Sequence, residues 1–235
     1  MNKRGFTLAE VLITLGIIGV VAAMTLPTLI QNHQKQVYVN GLKKAVSISQ
    51  NMVKQMQADE GVSDLGSTRL FSDGVCFFGD PQDNSCEEHY GNPSVFEDVI
   101  PKYLKVVKTC KGEACTQKVK STFFNCDKNN KCKNVINGYS YSPNQIIPYS
   151  YNNIGFYTAD GMIFYIFPYS LADNYNTSYE KAVGFTVDVN GEKGPNTYNI
   201  DVFAFAIFQN GKLSCINCYD DAITHLMSNG WKMDY

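Results

Sequence analysis

From Phe6 to Ile30 the chain runs 25 residues with one charged side chain, Glu10. A helix needs roughly 20 apolar residues to cross a bilayer core, so this segment is long enough to span one. From 31 to 60 the pattern changes. Polar residues enter, and apolar ones recur at Leu42, Ala45 or Val46, Met52 or Val53, and Met56, in steps of three or four. That period predicts the same helix continuing in amphipathic form, one face laid on a sheet. Gly41 weakens the stretch without ending it, and Gly61 marks its C-terminus. His33, just past the span, reads as an interfacial polar residue.

The period shifts toward two in the last third. Phe156–Thr158 and Met162–Phe167 flank Ala159-Asp160-Gly161, a hairpin cue. Val183–Val189 alternates, Val202–Phe208 is a short apolar run, and Asn210-Gly211 separates it from Lys212–Cys215. At least four short antiparallel strands follow, then a helix near Asp220–Met227 and a terminal strand, Trp231–Tyr235. The stretch 61–150 has Gly and Pro breaks, one helical piece at Val95–Leu104, and six of the eight cysteines. It reads as an insertion of stapled loops. The fold class is α+β: a long N-terminal helix packed on a small antiparallel sheet.

Composition narrows the function. At 235 residues there is room for one membrane helix and one globular domain. Net charge is −2, so nothing global recruits nucleic acid, and the lysines between Lys102 and Lys120 read as a solvated face. Cys76, Cys86, Cys110, Cys115, Cys126, Cys132, Cys215 and Cys218 fall into four neighbouring pairs, which favours local disulfides in an exported domain. A zinc site from Cys110-x4-Cys115 and Cys215-x2-Cys218 is the competing use; free thiols are the third. His33, His89 and His225 lie in separate segments, and no hydrolase, metalloprotease or phosphate-loop motif occurs. No catalytic site is expected.

Lys3 and Arg4 precede the apolar run and would hold the N-terminus in the cytoplasm. An ordinary secretory signal cut near Val21-Ala22-Ala23 and an uncleaved signal anchor both fit that outline. Neither explains Glu10, since an acid in a membrane span needs a partner.

The order Lys3-Arg4-Gly5-Phe6-Thr7-Leu8-Ala9-Glu10-Val11-Leu12 resembles the class III signal of type IV prepilins and type II secretion pseudopilins. The resemblance implies that a membrane-embedded prepilin peptidase cuts after Gly5 and N-methylates Phe6. It also implies flexibility, with partial unwinding in filaments, around Gly16, Gly19 and Pro27; Gly and Pro weaken helices on their own account. Phe6 and Glu10 are i and i+4, about 6 Å apart along a helix axis. A neighbour displaced by that much would set its new α-amine beside this carboxylate, so Glu10 and Phe6 are the expected assembly pair.

The family implies a pilin-like fold in five parts: leader 1–5, transmembrane and assembly helix 6–30, amphipathic continuation 31–60, cysteine-rich insertion 61–150, and sheet with C-terminal element 151–235. It implies an inner-membrane subunit with an extracytoplasmic domain, polymerised into a pseudopilus or pilus-like filament. Expected partners are the prepilin peptidase, other copies or related pilin-like subunits, and an inner-membrane assembly platform, with no nucleic acid. A low-abundance tip module that binds a surface, DNA or secreted substrate is the alternative, and a plain signal-anchored domain is a third. Lastly, Asp188-Val189-Asn190-Gly191-Glu192-Lys193-Gly194-Pro195-Asn196, followed by Asp201-Val202-Phe203, resembles the loop before the last strands in many pseudopilins. In the major ones a loop in this part of the domain binds calcium. Asp188, Asn190, Glu192, Asn196 and Asp201 offer oxygen ligands, without the regular spacing of an EF-hand. A metal-free Gly/Pro/Asn turn competes.

Overall fold

The computed structural model describes residues 7–74, 92–111, 117–120, 124–126, 132–134, 144–147, 154–172, 179–198, 200–215 and 230–231. Two compact units divide the chain, residues 1–37 and 38–235. Helix α1, Leu8–Glu60, runs through both. In the first unit its apolar side chains are exposed: Leu8, Leu12, Ile13, Ile17, Ile18 and Leu26 all face outward. Burial begins at Val39 and continues through Leu42, Ala45, Val46, Ser49, Met52, Val53 and Met56. That is the stripe read from the sequence. The helix stops where expected, because Gly61 takes a φ of 65°. Val62 N–H then donates to Gln57 C=O (3.2 Å) and Gly61 N–H to Ala58 C=O (3.3 Å), a Schellman closure.

In the second unit a 3-10 turn (Leu65–Ser67) and two helices, α2 (Arg69–Ser72) and α3 (Pro93–Tyr103), follow α1. Six strands form one antiparallel sheet: β1 (Val106–Lys111), β6 (Ile154–Thr158), β7 (Ile163–Ala172), β8 (Tyr179–Asp188), β9 (Val202–Phe208) and β10 (Leu213–Cys215) in that spatial order. Two small pairs lie between β1 and β6 in sequence. β2 (Gln117–Lys120) pairs with β5 (Asn144–Ile147), and β3 (Phe124–Cys126) with β4 (Cys132–Asn134). This is the expected α+β, pilin-like architecture.

One face of the sheet joins the α1 stripe in a single core with Phe156, Phe164, Phe185, Phe203 and Phe205. Phe185 and Phe205 stand opposite in register on β8 and β9, and their rings stack at 5.1 Å. Aromatic cross-strand pairs stabilise a sheet beyond the area they bury. Part of the stretch grouped on sequence with the cysteine-rich insertion shares this core. Leu65, Leu70, Phe71, Phe96, Val99 and Ile100 are buried in it, and β1 forms a sheet edge. The helical piece expected at Val95–Leu104 is α3. The expected helix at Asp220–Met227, most of Trp231–Tyr235, His89 and His225 lie outside the described residues.

Gly41 has a packing reason inside α1. A Cβ built there would sit 2.8 Å from Cβ of Val189, in the loop after β8. The helix passes so close to that loop that only hydrogen fits. On the same side, Lys44 pairs with Asp160 in the β6–β7 turn at 2.6 Å.

Candidate functional site

The N-terminus of α1 is built by a reciprocal cap. Thr7 precedes the first helical residue; its carbonyl accepts the first helix bond from Val11 N–H (3.3 Å). Its hydroxyl oxygen accepts the Glu10 N–H at 3.3 Å. In return the Glu10 carboxylate accepts the Thr7 N–H and the Thr7 hydroxyl, each at 2.8 Å. This is a capping box, T-x-x-E, which satisfies two of the N–H groups a helix start leaves orphaned. Glu10 therefore has a structural task within its own chain that the charge-based sequence reading passed over. Thr7-x-x-Glu10 ahead of an apolar run was the signal for it.

Below the cap the hydroxyls of Thr14 and Thr25 turn back onto the helix's own carbonyls. Thr14 Oγ1 donates to Glu10 C=O and to Val11 C=O, both at 2.9 Å, and Thr25 Oγ1 to Val21 C=O at 3.0 Å. The most apolar 18-residue window has a mean hydropathy of 2.2 and none of it is buried. Gly16 and Gly19 meet no atom within 4 Å of where a Cβ would stand. Pro27 lies inside the helix, which is unbroken there. Such a surface needs lipid or other helices around it.

Residues 1–26 match a family model described as the prokaryotic N-terminal methylation motif. The chain carries a prepilin-type signal. No curated protein and no solved structure matches it. The prepilin signal, the exposed apolar helix and the α+β domain together support a prepilin-like, membrane-anchored subunit processed for filament assembly. Gly5 and Phe6, where that signal would be cut and methylated, lie outside the described residues.

The second candidate region is the loop from Asp188 to Asp201. Both carboxylates are fully buried. Asp201 is its hub: Oδ1 accepts Thr197 N–H (2.7 Å), and Oδ2 accepts Asn196 N–H (2.9 Å) and Asn190 Nδ2 (3.2 Å). Asp188 Oδ1 accepts Asn190 N–H at 3.1 Å. Asn196 holds a φ of 49° after a cis Gly194-Pro195 bond. The side-chain oxygens of Asn190 and Asn196 are buried without a hydrogen-bond partner. Glu192 is set apart, its Oε1 accepting the Tyr157 hydroxyl at 3.1 Å. Tyr38 of α1 faces the loop: burial, then the nearby Asp201 and Asp188 charges, push its hydroxyl above the usual phenol range, while Asn190 opposes them. Among the described residues no three His, Cys, Asp or Glu side chains gather as a metal set.

Of the cysteines, Cys110 is buried and disulfide-bonded. Cys126 and Cys132 stand opposite one another in the β3–β4 register. Cys215 ends β10. Cys76, Cys86, Cys115 and Cys218 lie outside the described residues.

Proposed function

We propose that the chain is a structural pilin-like subunit, cut after Gly5, methylated on Phe6, held in the inner membrane by α1 and polymerised through that helix. The observation that carries the reading is the prepilin signal joined to an apolar helix half with no burial inside the chain. An isolated subunit keeps Glu10 on its Thr7 cap. In a filament the α-amine of a neighbour's Phe6, created by the cut, neutralises it. Each subunit thereby cancels the next one's charge, which favours assembly over the dispersed state. The partners are the prepilin peptidase, further copies or related pilin-like subunits, and an assembly platform in the inner membrane; nucleic acid has no role in this reading. A type II secretion pseudopilus or a pilus-like filament is the setting. Mass spectrometry of the mature N-terminus tests it. Methylated Phe6 is the expected result; a start at Met24, or an intact Met1, overturns the proposal.

A second reading concerns the Asp188–Asp201 loop. The donor chemistry suits calcium, a hard cation that takes carboxylate and amide oxygens. What favours it is the pair of orphaned oxygens on Asn190 and Asn196 beside two buried carboxylates. Asp188, Asn190, Asn196 and Asp201 would hold the ion, which would supply charge neutralisation and loop stiffness. Glu192 is better assigned to Tyr157. The loop's own hydrogen bonds already close the turn, so calcium adds stability without being required for folding. Adding calcium to chelator-treated protein should raise the melting temperature, and Asp201→Asn should abolish that rise. An unchanged melting curve removes calcium from the picture.

A further inference from the structure

A groove of about 440 Å³ opens beside the packed half of α1, within the roughly 300–1,000 Å³ that ligand sites occupy. Its walls are α1, the residues that end α3, and the β6–β7 turn. Ile48, Met52 and Leu104 make an aliphatic floor, Met52 and Leu104 buried and Ile48 half-buried. The exposed side chains of Asn51, Gln55 and Lys105 stand along the rim. Lys44 and Asp160 answer each other there. Lys105 is the unmatched charge, since it forms no ion pair among the described residues. The carboxamides of Asn51 and Gln55 are likewise unengaged among those residues.

We propose that this groove docks an extended, acid-bearing segment of a second protein, with an apolar side chain on the floor and a carboxylate at Lys105. Asn51 and Gln55 are i and i+4, on one face of α1 and about 6 Å apart along its axis. An extended chain presents like-facing residues every two positions, about 6.4–6.8 Å. A carboxamide offers an acceptor and two donors, so the pair can hold C=O and N–H groups two residues apart on such a chain. A helix bonds those groups internally and would leave both carboxamides unanswered. The acid follows from the sign of Lys105, and the aliphatic floor calls for an apolar neighbour to it. Among the described residues, exposed carboxylates such as Asp59, Asp98 and Glu192 stand on helices and turns, so the occupant is taken from another protein. The groove lies wholly within the second unit, and the proposal does not depend on the filament reading.

Fluorescence polarisation on the detergent-solubilised full-length chain tests this with short probes. They are capped, labelled pentapeptides of serine carrying leucine and glutamate, adjacent or one residue apart, in either order. A reference set has lysine in place of glutamate. Glutamate peptides should bind about fivefold more tightly than their lysine counterparts. Lys105→Glu should reverse that order, and Asn51→Ala joined to Gln55→Ala should weaken binding about tenfold. All three side chains are exposed, so melting of each variant should match the parent. The proposal is overturned if no peptide binds below about 1 mM, if the charge makes no difference, or if Lys105→Glu keeps the parent's preference. It also falls if the solubilised chain forms a dimer that Lys105→Glu dissociates, which assigns the groove to a second copy. Methylation of Phe6 is read separately and bears only on the filament reading.

Discussion

Glu10 and Thr7 hold each other. The carboxylate takes both donors of Thr7, and the Thr7 hydroxyl oxygen takes the amide N–H of Glu10. In the proposed filament the acid in the apolar run would have a second task, pairing with a neighbour's amine, and one substitution can separate the two. Glutamine fills the third position of a capping box as glutamate does, but carries no charge. Glu10→Gln should keep the helix start and lose the pairing with a neighbour's amine; Glu10→Val loses both. Thr7→Val removes the hydroxyl half of the cap and keeps the charge. We expect all three to insert, both Glu10 variants to leave subunits in the membrane, and Thr7→Val to form filaments at reduced yield. Electron microscopy and sheared-fraction blots read this out. Wild-type assembly by Glu10→Gln would mean that capping suffices.

Asp201 is buried and serves three donors from Asn190, Asn196 and Thr197. Removing the carboxylate strands two backbone N–H groups at the entry to β9. Unsatisfied buried donors cost about 1–3 kcal/mol each, so Asp201→Ala should destabilise the domain by roughly 2–6 kcal/mol. Urea unfolding of the detergent-solubilised chain measures it. A loss below about 0.5 kcal/mol, the range of ordinary surface changes, would show that the loop does not depend on this hub.

Much of this was legible from residue order. The three-and-four spacing of Leu42, Val46, Val53 and Met56 gave the packed face of α1, and Ala159-Asp160-Gly161 gave the β6–β7 turn. Strand β1 was not legible. Val106–Lys111 lies on a sheet edge with only Cys110 fully buried, so its polarity carries no clear alternation. The partnership of Lys44 with Asp160, and of Asp201 with residues before and after the turn, depends on how distant segments meet. Nothing local encodes it. The capping box was the opposite case: its two residues were in plain view, but the charge of Glu10 drew attention from its position at the helix start.

Gly41 tests the contact between α1 and the loop after β8. Gly41→Ala puts a methyl 2.8 Å from Val189 Cβ. Alanine favours helix by about 1 kcal/mol over glycine, whereas overpacking costs typically 1–3 kcal/mol. The net change should be destabilising, and larger for Gly41→Val. Val189→Ala added to Gly41→Ala should recover only part of the loss, because it removes the Cγ2 at 3.1 Å and leaves the Cβ at 2.8 Å. A stabilised Gly41→Ala variant would mean that the loop yields to the helix.

Lys44 and Asp160 give the domain an acid limb. Burial alone would raise the Asp160 carboxyl, but Lys44 and the Thr158 hydroxyl outweigh it and hold it below the usual 3.8. A carboxyl depressed by folding contributes its full stability above its unfolded-state value and loses it as pH falls through the folded one. The loss therefore lies at and below about pH 4. Lys44 is 53% and Asp160 29% exposed, so solvent screening limits the pair to about 0.2–1 kcal/mol. Asp160→Asn should lower stability at pH 7 by that order and remove this part of the fall between neutral and acid pH. Lys44→Met should keep a smaller fall, because Thr158 still donates to the carboxylate. Chemical denaturation at pH 7, 5 and 3 distinguishes the two. If the parent and Asp160→Asn lose stability in parallel toward pH 3, this carboxylate is not a source of the acid sensitivity.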